Sequence, residues 1–377
     1  MPALSEYPDR CPSPPSDYEN DETDTDQLGD FSRTELIRLF LRLQKYMTSN
    51  TTEVGEEDIC NVWDAVNCEE VADFFMENDI LNVLLVITER SHDDDRLGEI
   101  CAGILANLIT SVSIEHLKNF VETCEVLLYI FFRESDPLNL HQIMRFFQVC
   151  LVRSPSDDSA MAPIVRQKAA FVSKCSFILS NCTNSLLLND VLYFIERDTD
   201  LGTDIFTTTS ELIDAIFSTF ESLLETFEFS HMTESEDSLS IIMRVLSDML
   251  VEQCPLSPAN INFLLHIAYK RVHAVVMENA KELTVIDISN FFDNFLYLIG
   301  TALLQKTSKF DSIICLEITL DLAQFFTSSG IDYTDTQVVI KNLLKTQVKI
   351  LTKFKQFETF VPDNSAIEKK LLENLSS

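Results

Sequence analysis

The chain has 377 residues, 46% of them hydrophobic, and only seven glycines, too few for the turns of a many-stranded β fold or for glycine-rich phosphate loops. Its 60 acidic residues against 28 basic ones leave a net charge of -32, which repels nucleic-acid phosphates and anionic membrane surfaces and favours basic or mixed-charge protein segments as partners. At this length a single compact core stops growing, so two domains or a repeat array are expected.

Residues 1–30 are rich in proline, and their second half carries acids without a base. Such a segment cannot bury enough apolar surface to offset its conformational entropy, and it reads as a disordered acidic tail. Ser32-x-x-Glu35 is a capping box ahead of Leu36, Ile37, Leu39, Phe40 and Leu43, so a leading helix is expected to start at Phe31 or Ser32. A polar linker over 48–57 ends it, which gives a leading helix and linker over 31–56. From Asp58 onward helical periodicity hardly stops, broken by polar loops near 91–95, 154–162, 198–208, 228–238, 252–257, 306–311 and 328–336. Asp136-Pro137 and Ser257-Pro258 each place a capping side chain before a proline at the first helical position.

Leu97, Ile100, Cys101, Ile104, Leu105 and Leu108 make a wide apolar helical face. A shift of about 43 residues lands on Leu140, Ile143, Met144, Phe147, Gln148 and Leu151, five of them apolar, and that spacing lies in the armadillo and HEAT range. The expected fold is all-α, an armadillo/HEAT-like right-handed helical solenoid over 57–360, followed by a C-terminal tail at 361–377. The ten cysteines are scattered without a Cys-x-x-Cys pair, and several sit in apolar helical stripes as small hydrophobes, which points to a reducing compartment. The first residues show no basic-then-apolar run, so no secretory signal is expected, and no apolar stretch reaches the roughly 20 residues of a membrane span.

The run Asp58-Ile59-Cys60-Asn61-Val62-Trp63-Asp64, then Val71-Ala72-Asp73-Phe74, then Glu99 to Asn107, and finally Ser135-Asp136-Pro137 resemble, in order and approximate spacing, the serum amyloid A-like 1 protein family over about residues 57–151. The resemblance implies an armadillo-type helical fold, residence in the nucleus, a role in promoting cell proliferation, and no enzymatic activity; the expected location is the nucleus and/or cytoplasm. The expected function is a non-enzymatic scaffold or adaptor for protein–protein interaction.

Glu99, Gly103 and Asn107 lie four apart along one edge of the apolar stripe and are the candidate partner-binding residues. In armadillo arrays an asparagine at this position often holds an extended peptide, with a tryptophan one turn earlier. Gly103 stands in the tryptophan's place, and the equivalents one repeat on are Phe146 and Cys150. An importin-like receptor for basic peptide segments, which needs that ladder, is therefore the alternative; a helix–helix hydrogen bond is the simpler role for Asn107. Trp63, flanked by Ile59, Val62 and Val66, reads as a core anchor. Lys341, Lys345, Lys349 and Lys353 recur every four residues and form a candidate basic surface, read most simply as the outward face of a helix that caps the solenoid. The six histidines lack zinc spacing, no catalytic signature appears, and neither a metal nor another cofactor is expected.

Overall fold

The computed structural model of the protein describes residues 31–48, 56–90, 95–153, 160–203 and 209–226, with short pieces at 27–28, 205–206, 241–246 and 248. The acidic tail up to residue 26, the Ser257-Pro258 start, the basic surface of Lys341, Lys345, Lys349 and Lys353, and the tail at 361–377 lie outside the described residues.

The protein is all-α there. The helices are α1 (Arg33–Thr48), α2 (Glu56–Ala65), α3 (Glu69–Glu77), α4 (Ile80–Arg90), α5 (Asp95–Ser111), a 3-10 helix (Ile114–Asn119), α6 (Phe120–Arg133), α7 (Pro137–Arg153), α8 (Ala162–Arg166), α9 (Lys168–Asn181), α10 (Ser185–Leu201) and α11 (Ser210–Thr226). A further helical run covers 241–246. Among the described residues the only strand pairing is a two-residue ladder, Gln27–Leu28 (β1) against Phe31–Ser32 (β2). No helix among them is long and apolar enough to cross a membrane.

Local chemistry explains where several helices begin. The Ser32 hydroxyl accepts from the Glu35 backbone N–H at 3.3 Å, and the Glu35 carboxylate accepts from the Ser32 backbone N–H at 3.0 Å, so two of the orphan donors at the start of α1 are satisfied reciprocally. The helix starts at Arg33, one residue beyond the sequence expectation, because Ser32 is spent as its cap. Helix α2 begins at Glu56, within the stretch expected as linker. At α7 the Asp136 carboxylate accepts from the Asn139 N–H at 2.8 Å, ahead of Pro137. The break before α10 has its own cap, the Asn184 side-chain oxygen accepting from Leu187 N–H at 3.0 Å.

The described helices fall into two compact units, one holding the residues up to Lys174 with Asp200–Ile205, the other Cys175–Thr199 and the residues from Phe206 onward. In the first unit the core is aromatic where α6, α7 and α9 meet. The fully buried rings of Phe131, Phe147 and Phe171 lie 5.4 to 5.8 Å apart, with Phe147 edge-on to both of the others. Cys124 and Cys150 are buried on α6 and α7, and burial pushes the Cys150 thiol well up, a hydrogen bond with Cys124 adding to it. The Cys150 thiol therefore stays protonated, and both buried side chains act as core hydrophobes.

Hydrogen bonds between helices recur at a narrow range of sequence separations. Within the first unit Asn107 bonds Trp63 at a separation of 44, Arg153 bonds Thr110 at 43, Ser113 bonds Asp73 at 40, Lys174 bonds Glu134 at 40 and Arg145 bonds Asn107 at 38. Within the second, Thr219 bonds Leu179 at 40 and Arg244 bonds Glu196 at 48. The Arg153–Thr110 separation is the register of the 43-residue shift that relates the apolar faces of α5 and α7.

Candidate functional site

Helix α5 carries Glu99, Gly103 and Asn107 on one face, and the neighbouring helices α2 and α7 bring Trp63 and Arg145 to it. Position 103 is glycine for a steric reason. A Cβ there would lie 2.7 Å from Cη2 and 2.8 Å from Cε2 of Trp63, and closer still to Cζ2, so the indole rests directly on the α5 backbone. Ile59, Val62 and Val66 are fully buried, as the anchor reading of α2 expects. The indole itself is only half-buried, because it lies along the edge of α5 rather than inside the core.

One turn on, Asn107 has both ends of its amide engaged. Its nitrogen donates to the Trp63 carbonyl at 3.4 Å, and its oxygen accepts from Arg145 Nη2 at 3.2 Å. The second Arg145 nitrogen donates to the Gln142 side chain at 2.5 Å. Asn107 is 7% exposed, so both bonds are formed away from bulk water, where an unpaired amide would be costly. Glu99, 8% exposed, is paired through one oxygen with Arg96 Nη1 at 2.8 Å, an i,i+3 contact on the same helix.

The three candidate residues are thus brought together, but under a layer of side chains formed by Trp63, Arg96 and Arg145. The groups that reach solvent along this edge are the Arg96 side chain, half exposed, and the half-buried Trp63 and Arg145. Sequence reasoning missed Arg145, Gln142 and Arg153. The Arg153 guanidinium donates to the Ile109 and Thr110 carbonyls at 2.7 and 2.8 Å and so closes the C-terminal end of α5. A basic residue in the last turn of α7, one repeat length after the end of α5, was the available signal.

No protein-family model matches the chain. Curated relatives do. The chain is 29% identical to Protein saal1 of Danio rerio over 243 residues, which is 58% of this chain and 45% of that protein. It is 28% identical to Protein saal1 of Xenopus tropicalis over 222 residues, 52% of this chain and 46% of that one, and 34% identical to Protein SAAL1 of Homo sapiens over 157 residues, 40% and 32%. The chain spans about half the length, or less, of the curated relatives it matches.

Fold and seam together define an all-α protein whose helices bond to one another at a repeating interval. Over the matched part of its length the chain is similar to the serum amyloid A-like 1 proteins, the family that the motifs from Asp58 to Pro137 resemble.

Proposed function

We propose that the protein is a non-enzymatic scaffold or adaptor, built as an armadillo-like stack of helix pairs, that binds basic or mixed-charge protein segments in the nucleus or cytoplasm. The observation that carries the reading is the recurrence of interhelical hydrogen bonds at separations of 38 to 48 residues, close to the repeat length of armadillo and HEAT arrays. Stacked helices offer extended surfaces, and a net charge of -32 would speed the approach of a positive ligand. A part in promoting cell proliferation is what the family resemblance implies, and it belongs to the same proposal.

The importin-like alternative has less support. A peptide-holding asparagine needs an amide available to the ligand, whereas the Asn107 amide is engaged at both ends by Trp63 and Arg145. In the scaffold reading Glu99, Gly103 and Asn107 shape the edge of α5 by positioning Arg96, Trp63 and Arg145. Affinity capture from native lysate followed by mass spectrometry tests the proposal. The expected result is a reproducible protein partner with a basic segment, whose affinity falls as salt rises and falls again in Asn107→Ala with the fold intact. A partner whose binding ignores both salt and Asn107→Ala would contradict it.

A further inference from the structure

Helix α1 is a basic element in an acidic chain. It carries Arg33, Arg38, Arg42 and Lys45 against one acid, Glu35, which is engaged with Ser32 in the cap. Leu36, Leu39, Phe40 and Leu43 form its buried side, so the opposite side faces solvent. There Arg38, Arg42 and Lys45, all exposed, follow one another at i, i+4 and i+7 as a single stripe along the helix. Beside the stripe Ile37 and Leu41 are 44% and 55% exposed. Three cations edged by two aliphatic side chains suit an acidic segment, and the position of α1 in the chain points to one.

The second observation is the ladder ahead of the helix. β1 and β2 are antiparallel, with Leu28 opposite Phe31 and Gln27 opposite Ser32, the residue that caps α1. Between them Gly29-Asp30 has the composition of a two-residue hairpin loop with glycine first. The ladder thus tethers the residues before Gln27 beside the first turn of α1. Those residues are Asp21-Glu22-Thr23-Asp24-Thr25-Asp26, four acids and no base. In an extended chain alternate side chains share a side about 7 Å apart, and helix residues four apart are separated by about 6 Å along the axis. Glu22, Asp24 and Asp26 therefore recur at nearly the interval of bases spaced four apart.

We propose that residues 21–26 of the same chain dock in extended form along the exposed face of α1, with Asp24 at Arg38, Glu22 at Arg42 and Asp21 at Lys45. The register follows from the two rises. Measured from Gln27 opposite Ser32, an extended chain places Asp24, Glu22 and Asp21 about 10, 17 and 20 Å along. The helix places Arg38, Arg42 and Lys45 about 9, 15 and 20 Å from the same point. Ile37 and Leu41 lose water beneath the segment. Exposed ion pairs are individually weak and screened by salt, and a short tether compensates by holding the acids at an effective concentration of about millimolar. The docked segment keeps an outside acidic ligand off the stripe. The contact does not depend on what the scaffold binds.

Zero-length coupling of the full chain with a carbodiimide, which joins an amine to a carboxylate in direct contact, tests the register at low salt. The unaltered chain is expected to link Lys45 to Asp21 or Glu22. Arg42→Lys should add a link from position 42 to Glu22, and Arg38→Lys one from position 38 to Asp24. Arg38→Gln combined with Arg42→Gln should lower the Lys45 link about five-fold through loss of two exposed ion pairs, with helix content by circular dichroism unchanged. Salt at about 0.5 M should lower it similarly in the unaltered chain, with no substitution involved. Mixing isotope-labelled with unlabelled chain shows whether the two ends of a link belong to one molecule. Absence of links between these amines and residues 21–26, links in no order along the helix, or a yield indifferent to both salt and the double variant overturns the proposal. Links found only between labelled and unlabelled chains overturn it too, and make a second copy the occupant.

Discussion

The aromatic cluster of α6, α7 and α9 and the seam between α2 and α5 hold helices together by opposite means. In the cluster, three large rings fill the space and exclude water. At the seam a side chain is missing, and the empty place lets a half-buried indole lie against a helix backbone. The first contact is damaged by taking atoms away, the second by adding one. Polar groups differ as well. Near the cluster Lys174 lies 5.9 Å from the Phe131 ring and bonds the Glu134 carbonyl, which ties a helix end, whereas at the seam Asn107 and Arg145 run a chain of hydrogen bonds from α2 across α5 to α7.

The largest effect expected is in the cluster. Phe147→Ala removes a ring that touches Phe131, Phe146 and Phe171, and chemical denaturation should show a loss of about 3–5 kcal/mol. A loss below about 1 kcal/mol would mean that the ring is not in the core. At the seam, Arg145→Ala should cost about 1–3 kcal/mol, since it leaves the buried Asn107 oxygen without its donor. Arg145→Lys should recover little of it, because the guanidinium reaches Gln142 and Asn107 through two different nitrogens. Full recovery with lysine would show that only the charge matters.

Smaller still is the start of α1, outside both regions. Ser32→Ala should cost about 1 kcal/mol through loss of the cap. Hydrogen bonds from the Ser32 backbone and hydroxyl hold the Glu35 carboxyl below its ordinary value. A carboxylate depressed in the folded state stabilises it above the unfolded pKa, and that contribution fades as pH falls through the folded one. The first turn of α1 should therefore fray below about pH 4, by a few tenths of a kcal/mol for so exposed a group. Amide exchange at Glu35 followed from pH 6 to pH 3 checks it, and Glu35→Gln should flatten the dependence.

The comparison also explains what the sequence reveals. The all-α class, the capping box at Ser32 and Glu35, the Asp136-Pro137 start and the register linking α5 to α7 depend on residues close together or on apolar periodicity, and each is legible. The family resemblance is legible for the same reason, since its motifs lie within helices. The turn at Cys182-Thr183-Asn184 was not read, because a lone capping asparagine ahead of a leucine run differs little from a polar position inside a helix. The 3-10 turn Ile114–Asn119 hides in helical periodicity. The seam was legible only in pieces: Trp63 and Gly103 each stand out, but a glycine announces an absence and does not say what fills it. The indole missing from the position before Asn107 on α5 is supplied by α2, forty residues away along the chain. Glu99, a candidate partner-binding residue by its spacing, pairs with Arg96 on its own helix, a contact that sequence spacing alone does not single out.

A double-mutant cycle between Trp63 and Gly103 tests the packing of α2 on α5 most directly. With Trp63 present, Gly103→Ala places a methyl group inside the indole and should destabilise the protein by about 1–3 kcal/mol. With Trp63→Ala as background the space is open, and the same substitution should become neutral or stabilising by up to about 1 kcal/mol, the helix preference of alanine over glycine. A reversal of sign between the two backgrounds is the result this account predicts. An equal cost of Gly103→Ala in both would contradict it, and would mean that the indole of Trp63 does not rest on α5.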